Sequence, residues 1–169
     1  MRSLATAKSH RRMSHTRNQF IARLGLSVPV VQGPFGGGLS SVELVAGVSD
    51  RGGLGSFGAH QVLADEIGPL AAQIRTRTRG PFALNLWIPG APVEAQLPDA
   101  AALDRGWHVF EPYFRELGLE RPAPPTRLLP DFDAQIEALL EARPTVFSFV
   151  FGVPSPRILE ACRQRGIFT

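Results

Sequence analysis

Short apolar runs alternate with segments of helical periodicity along this chain, and this alternation restricts the possible folds more than any other feature of the sequence. Each run is followed by a segment with apolar residues three and four positions apart, and glycine or proline lies between the two. The third run, FALNLWI, is almost continuously apolar, which is typical of a strand covered on both faces. The predicted strands are residues 30–32, 54–57, 82–88 and 145–152, with a fifth beginning at 167–169.

This order predicts an α/β fold built from parallel βα units with right-handed crossovers. Four strands and the beginning of a fifth are consistent with two architectures. One is a small doubly wound domain, and the other is the first half of an eight-unit TIM barrel. In a barrel of this kind, the loops at the carboxyl ends of the strands are expected to build the binding site.

Two regions depart from this pattern. Residues 1–17 hold five of the 18 basic side chains and no acidic one, which predicts a disordered basic leader, with Met13 as an alternative start. Residues 89–130 are rich in proline and form a predicted insertion. Within it, residues 101–117 are predicted to form an amphipathic helix, kinked or split at Pro112. The aromatic content of the insertion favours an ordered lid or a dimer contact.

The remainder, residues 18–169, is predicted to be one partial barrel domain. Its 13 basic and 15 acidic side chains give no excess of positive charge, so we expect no nucleic-acid partner. No run approaches the ~18 apolar residues of a membrane helix, so we expect no membrane partner and a cytoplasmic location. The single cysteine, Cys162, excludes an intramolecular disulfide and a cysteine-based metal cluster, and no metal site is predicted.

The candidate ligand-binding element is the stretch VVQGPFGGG, residues 30–38. Pro34 lacks a backbone donor and has a fixed φ, while the glycines at 36–38 can adopt positive φ. Such a turn lets a flat or anionic ligand approach the main chain closely. The alternative is a plain glycine-rich connection between a strand and a helix.

Three blocks of the sequence resemble the nitronate monooxygenase (2-nitropropane dioxygenase-like) family of FMN-dependent TIM-barrel enzymes. The blocks are PVVQGPFGGGLSSVELVAGVSDRGGLGSFGA, FALNLWIP and VFSFVFGVPSPRILEACRQRGI, and they span residues 29–167 in order. The resemblance implies that the chain is the N-terminal half of an FMN-binding barrel. It also implies that the parent protein oxidises a small nitronate or nitroalkane with O2.

By the same resemblance, four residues of this chain contact the cofactor. Gly33, Pro34 and Phe35 would set main chain against the isoalloxazine ring at the end of the first strand. Asn85 matches the family's flavin-contacting asparagine. The alternative for Asn85 is a hydrogen-bonded amide that closes the next loop.

The resemblance assigns no catalytic residue within these 169 positions. The family's base is a histidine in a Gly-Gly-His type motif, expected beyond Thr169, and its phosphate site is built by the loops after strands seven and eight. We predict that the four histidines present, including His60 and His108, are surface or packing residues.

Two other functions remain open on the sequence alone. One is an NADH-dependent flavin reductase of the same fold, similar to an enoyl-ACP reductase. The other is a truncated, catalytically inactive fragment. Such a fragment is expected to self-associate, because a partial barrel has open sheet edges and an uncovered apolar inner surface.

Overall fold

The computed structural model describes residues 19–89, 98–124 and 129–169. The predicted leader, residues 1–17, lies outside these ranges. The predicted insertion at 89–130 is described in its central part, at residues 98–124.

The described ranges contain three strands and six helices. The strands form one parallel sheet in the order β1-β2-β3, with Asn85 of β2 in register between Gly58 of β1 and Ser148 of β3. The elements are α1 (Gln19–Leu24), α2 (Val42–Asp50), β1 (Gly55–Gly58), α3 (Ala64–Arg77), β2 (Phe82–Trp87), α4 (Ala100–Glu116), α5 (Phe132–Ala142), β3 (Val146–Val150) and α6 (Pro156–Gln164).

The predicted first and fifth strands are each reduced to one parallel bridge. Val31 bridges to Leu54 on one side of the sheet, and Val146 bridges to Phe168 on the other. Parallel α/β organisation is therefore confirmed, whereas four or five complete strands are not. At the first position the reason is local, since Pro29 and Pro34 flank the bridge and neither has an N–H for a ladder.

The two internal prolines do not interrupt their helices. α3 begins at Ala64, five residues before Pro69, and its start is fixed by the Leu63 N–H, which donates to the Glu66 carboxylate at 3.2 Å. α4 likewise runs unbroken through Pro112. Each internal proline removes one helical hydrogen bond. In α3, burial of Ile67, Ala71 and Ile74 against the core compensates for this loss.

One face of the sheet packs against helices and contains the main core. Leu84, Leu86 and Phe147 are completely buried there. The facing helices supply apolar residues at helical spacing, which bury the centre of this face, while Phe57 and Phe149 are partly buried at its margin. The helical contributors are Val45, Ile67, Ala71, Ile74, Ile136, Leu139 and Cys162.

A second, smaller cluster lies on the opposite face, at the amino ends of the strands. Leu54, Ala83 and Val146 project from the sheet, and Leu24 and Leu26 pack onto them from α1 and the residues after it. α1 therefore covers the lower part of this face. The upper part, toward the carboxyl ends of the strands, remains open. In the part of the chain that the structure describes, no helix combines the length and apolarity needed to cross a bilayer.

Candidate functional site

The open part of the second face is a concave surface that encloses about 420 Å³. We call it the inner face. It is bordered by the turn after the first bridge and by residues of all three strands, including Pro34, Ser56, Asn85, Ser148 and Val150. A larger depression of about 650 Å³ lies outside the sheet between α5 and α6, but none of the predicted site residues borders it.

Asn85 lies within β2 and points to the inner face with only 2% of its surface exposed. Its Nδ2 donates to Ser148 Oγ at 3.0 Å across the strand register. Its Oδ1 accepts no hydrogen bond from any residue that the structure describes. A buried amide with one unused polar atom beside a concave space is suited to bind a polar group of a ligand.

The turn at residues 33–35 lies against the carboxyl end of β1. The Phe35 N–H donates to the Gly33 carbonyl at 3.0 Å, which closes a tight turn around Pro34. A Cβ on Gly58 would lie 2.7 Å from the Phe35 carbonyl oxygen, so only glycine at 58 allows this approach. Pro34 borders the inner face, whereas the Phe35 side chain is 57% exposed and packs over Gly33.

Gln32 holds this turn to the sheet, a role that the sequence reasoning did not assign. Its Oε1 accepts from the Ser56 N–H at 3.1 Å, and its Nε2 donates to the Gly33 carbonyl. The amide therefore continues the hydrogen bonding of the sheet where the backbone ladder stops. The available signal was its position, since Gln32 is the polar residue that ends an apolar run.

His60 packs against an aromatic residue, a partner that the sequence did not indicate. Its ring stacks on Trp87 with a centroid distance of 3.7 Å and an interplanar angle of 5°. Only 6% of His60 is exposed, its Nδ1 has no partner among the described residues, and burial lowers its pKa below the ordinary histidine value. His60 is thus a packing histidine, as one half of the prediction stated.

The same histidine explains one glycine of the Gly-rich turn. A Cβ on Gly36 would lie 2.1 Å from His60 Cε1, so a side chain at 36 would displace the ring. Gly37 and Gly38 have positive φ values of 65° and 81°, as the sequence predicted. The three glycines therefore serve two purposes, close packing at the first and backbone conformation at the others.

Comparison with known sequences decides the family. The sequence profile described as "Nitronate monooxygenase" matches residues 17–169. This chain belongs to the nitronate monooxygenase family. A nitronate monooxygenase from Pseudomonas aeruginosa is 34% identical over 157 residues, which cover 89% of this chain and 42% of the relative. One from Paraburkholderia phytofirmans is 31% identical over 148 residues, covering 85% of this chain and 39% of the relative.

Solved structures agree with this family membership. The nitroalkane oxidase of Streptomyces ansochromogenes superimposes with a TM-score of 0.68 at 29% identity, covering 88% of this chain and 40% of that one. FabK from Thermotoga maritima gives a TM-score of 0.56 at 18% identity, covering 89% and 35%, which indicates a shared fold alone. The chain spans about 40% of the length of the nitronate monooxygenases that it matches.

Within this family member, the structure brings only part of the predicted site together. Pro34 and Asn85 border the same concave space, while Gly33 and Phe35 lie beside it. Neither described histidine borders the inner face, since His60 is buried under Trp87 and His108 is exposed on α4. The inner face thus presents the Asn85 amide, the hydroxyls of Ser56 and Ser148 and a turn of main chain, and no titratable side chain of the described residues borders it.

Proposed function

We propose that this chain is the N-terminal portion of an FMN-dependent nitronate monooxygenase that oxidises alkyl nitronates, or the parent nitroalkanes, with O2. The observation that carries the proposal is the family match over residues 17–169. The buried Asn85 amide, with its unused polar atom beside Pro34 on the inner face, supports a cofactor site at this position.

In this proposal, the chain supplies contacts to the ring of FMN. The main chain of Gly33, Pro34 and Phe35 would lie along the isoalloxazine, and Asn85 would hydrogen-bond a polar atom of the ring. When bound, FMN would supply the redox chemistry that transfers electrons from the substrate to O2.

The residues around this site orient the contacts and supply apolar borders. Ser148 holds the Asn85 amide in one rotamer through the hydrogen bond at Nδ2, and Gln32 holds the turn at Gly33. Ala83 and Val150 form apolar borders of the inner face. A ligand that covered this face would shield its hydrogen bond to Asn85 from water, which would make that bond stronger than one at an exposed surface.

A flavin reductase is the second candidate function. The structural similarity to FabK favours it at the level of the fold. The flavin reductase is the second candidate because this chain has a higher sequence identity to nitronate monooxygenases than to FabK. A cytoplasmic location stays a prediction.

The test uses the complete product of the gene, purified and assayed for bound flavin and for O2 consumption. We expect FMN to copurify, alkyl nitronates to drive O2 uptake, and NADH to be left unoxidised. NADH oxidation coupled to reduction of an enoyl thioester, without nitronate turnover, would instead establish the reductase. A gene product with neither flavin nor either activity would establish the inactive fragment.

The same assays on residues 1–169 alone test the contribution of this portion. We expect no stoichiometric FMN and no nitronate oxidation, because the described residues supply only contacts to the ring. We also expect self-association through the open sheet edges. A monomer that melts cooperatively and copurifies with about one flavin would show that this portion forms a complete site.

A further inference from the structure

α4 exposes an apolar surface that its own surroundings leave uncovered. None of its residues is buried, and Val109, Phe110 and Tyr113 project to solvent together with Leu117 and Leu119 just after the helix. Each of these five residues is between 55% and 70% exposed. We call Val109, Tyr113 and Leu117, which are spaced four residues apart, the α4 stripe. An exposed stripe at this spacing is typical of an interaction surface.

The neighbouring part of the helix is already covered. Trp107 contacts Phe114 edge-on at 5.1 Å, and the Arg121 guanidinium lies 5.4 Å from the Trp107 ring centroid. Arg121 also pairs with Asp104. The chain therefore folds back over one side of the apolar face and secures it. The α4 stripe contributes nothing to that packing.

Two charged residues flank the α4 stripe on its other side. Arg105 and Glu116 are exposed and lie eleven residues apart, about three helical turns, which places them on the same side of the helix. Neither has an ion-pair partner among residues 19–89, 98–124 and 129–169. By contrast, Glu111 pairs with Arg115 on the side facing away from the stripe, where His108 Nδ1 lies 3.9 Å from the Glu111 carboxylate.

Two copies of this surface are complementary in charge when their helices lie antiparallel. If two copies of α4 pack antiparallel, Arg105 of each copy faces Glu116 of the other, which makes two equivalent ion pairs. The same register sets Val109 of one copy against Tyr113 of the other. A two-fold axis requires such self-complementarity, because the same surface must serve both subunits.

We propose that the α4 stripe is a homodimer contact in which two copies of this chain pack their α4 helices antiparallel. The contact buries Phe110 and Leu119 beside the α4 stripe together with its three residues. The exposed fractions of these five residues, with side chains of ~150–200 Å² each, give about 500 Å² per copy. Two copies together reach the ~1,000 Å² that a specific interface requires. The contact is independent of the proposed catalytic function.

The experiment measures the dimer dissociation constant of the complete gene product by sedimentation equilibrium. Arg105→Glu and Glu116→Arg each set like charges against one another twice, so each should weaken the dimer about tenfold or more. The double variant restores opposite charges and should return the dissociation constant to near the original. An equimolar mixture of the two single variants should also form a heterodimer, since all its pairs are then attractive.

Two further variants test the apolar part and the position of the contact. Tyr113→Glu places two carboxylates at the centre of the interface and should abolish the dimer. Arg115→Glu makes the same charge change as Arg105→Glu on the side away from the stripe, and should leave the dissociation constant unchanged. Thermal melting of each variant confirms that it is folded.

The proposal fails if the folded wild-type protein is monomeric at tens of micromolar, or if both single charge variants dimerise as tightly as the wild type. It also fails if the double variant and the mixture do not recover association. A monomer in which Tyr113→Glu alters only nitronate turnover would show that α4 is a lid over the site of its own chain.

Discussion

The helix-covered face and the inner face of the sheet are built from alternate residues of the same strands, yet they are stabilised in different ways. In β2, Leu84 and Leu86 point to the helices and are completely buried among apolar side chains. Asn85 lies between them in sequence and points the other way, where it hydrogen-bonds Ser148. Trp87, also on the inner side, is 38% exposed.

We therefore expect the helix-covered face to determine the stability of the sheet and the inner face to determine ligand binding. The helix-covered face is close-packed, so removing volume there leaves a cavity that the surroundings cannot fill. The inner face contains polar side chains and open space, so shortening a side chain there should alter the geometry of the site more than the free energy of unfolding. Four changes, from the largest expected effect to the smallest, test this division.

Phe147→Ala should destabilise the protein most. Phe147 is completely buried between the sheet and the helices, and truncation of such a phenylalanine costs about 3–5 kcal/mol. Urea denaturation measures the change in the free energy of unfolding. Val150→Ala is the control, since Val150 lies on the same strand but is 38% exposed, and about 1 kcal/mol is expected. Equal losses of unfolding free energy in the two variants would contradict the proposed difference between the two faces of the sheet.

Gly58→Ala should have the next largest effect. The new methyl group would lie within 3.0 Å of main-chain atoms of Pro34 and Phe35, and overpacking of this kind costs about 1–3 kcal/mol. Gly68→Ala is the control, because its Cβ meets no atom within 4 Å and alanine stabilises a helix interior by about 1 kcal/mol. Thermal midpoints that shift in the same direction for both would show that the turn is not packed on β1.

Asn85→Ala should weaken FMN retention by the complete gene product, by about 1–3 kcal/mol, because a buried polar atom of the ring would lose its partner. Flavin content after gel filtration and a titration with free FMN measure this change. Ser148→Ala separates the two interpretations of Asn85. If the amide serves only to close the sheet, both variants lose the same stability and neither changes flavin affinity.

The order of the helices and strands could be predicted from sequence because it depends on local periodicity. The apolar spacing and the capping residue Asp131 predict α5, and the amphipathic pattern predicts α4 within one residue at each end. The strand number could not be predicted in the same way. Whether Val31 or Phe168 extends a ladder beyond one bridge depends on the neighbouring strand and on flanking prolines.

The candidate site was predictable only in part, because its geometry depends on residues distant in sequence. Asn85 stood out as the single amide in an apolar run, but its hydrogen bond to Ser148 depends on the register of β2 and β3. His60 gave no comparable signal. Its burial requires Trp87 on the next strand and the absence of a side chain at Gly36, and neither contact is visible in the local sequence.

The smallest effect concerns pH and the stack of His60 on Trp87. Burial lowers the pKa of His60 in the folded state, so the unfolded chain, with its ordinary pKa of about 6.5, takes up the proton first as the pH falls. The stability associated with a neutral His60 is therefore fully present above about pH 6.5, and is lost as the pH falls from there through the folded pKa.

His60→Phe keeps a stacking ring without a titratable group, so its urea midpoint should fall less than that of the wild type between pH 8 and pH 5. His108→Phe, on the exposed side of α4, should retain the wild-type pH dependence. If the difference between wild type and His60→Phe is constant over this range, the ring of His60 takes up its proton equally easily in both states, and the stack of His60 on Trp87 does not shield the ring from water.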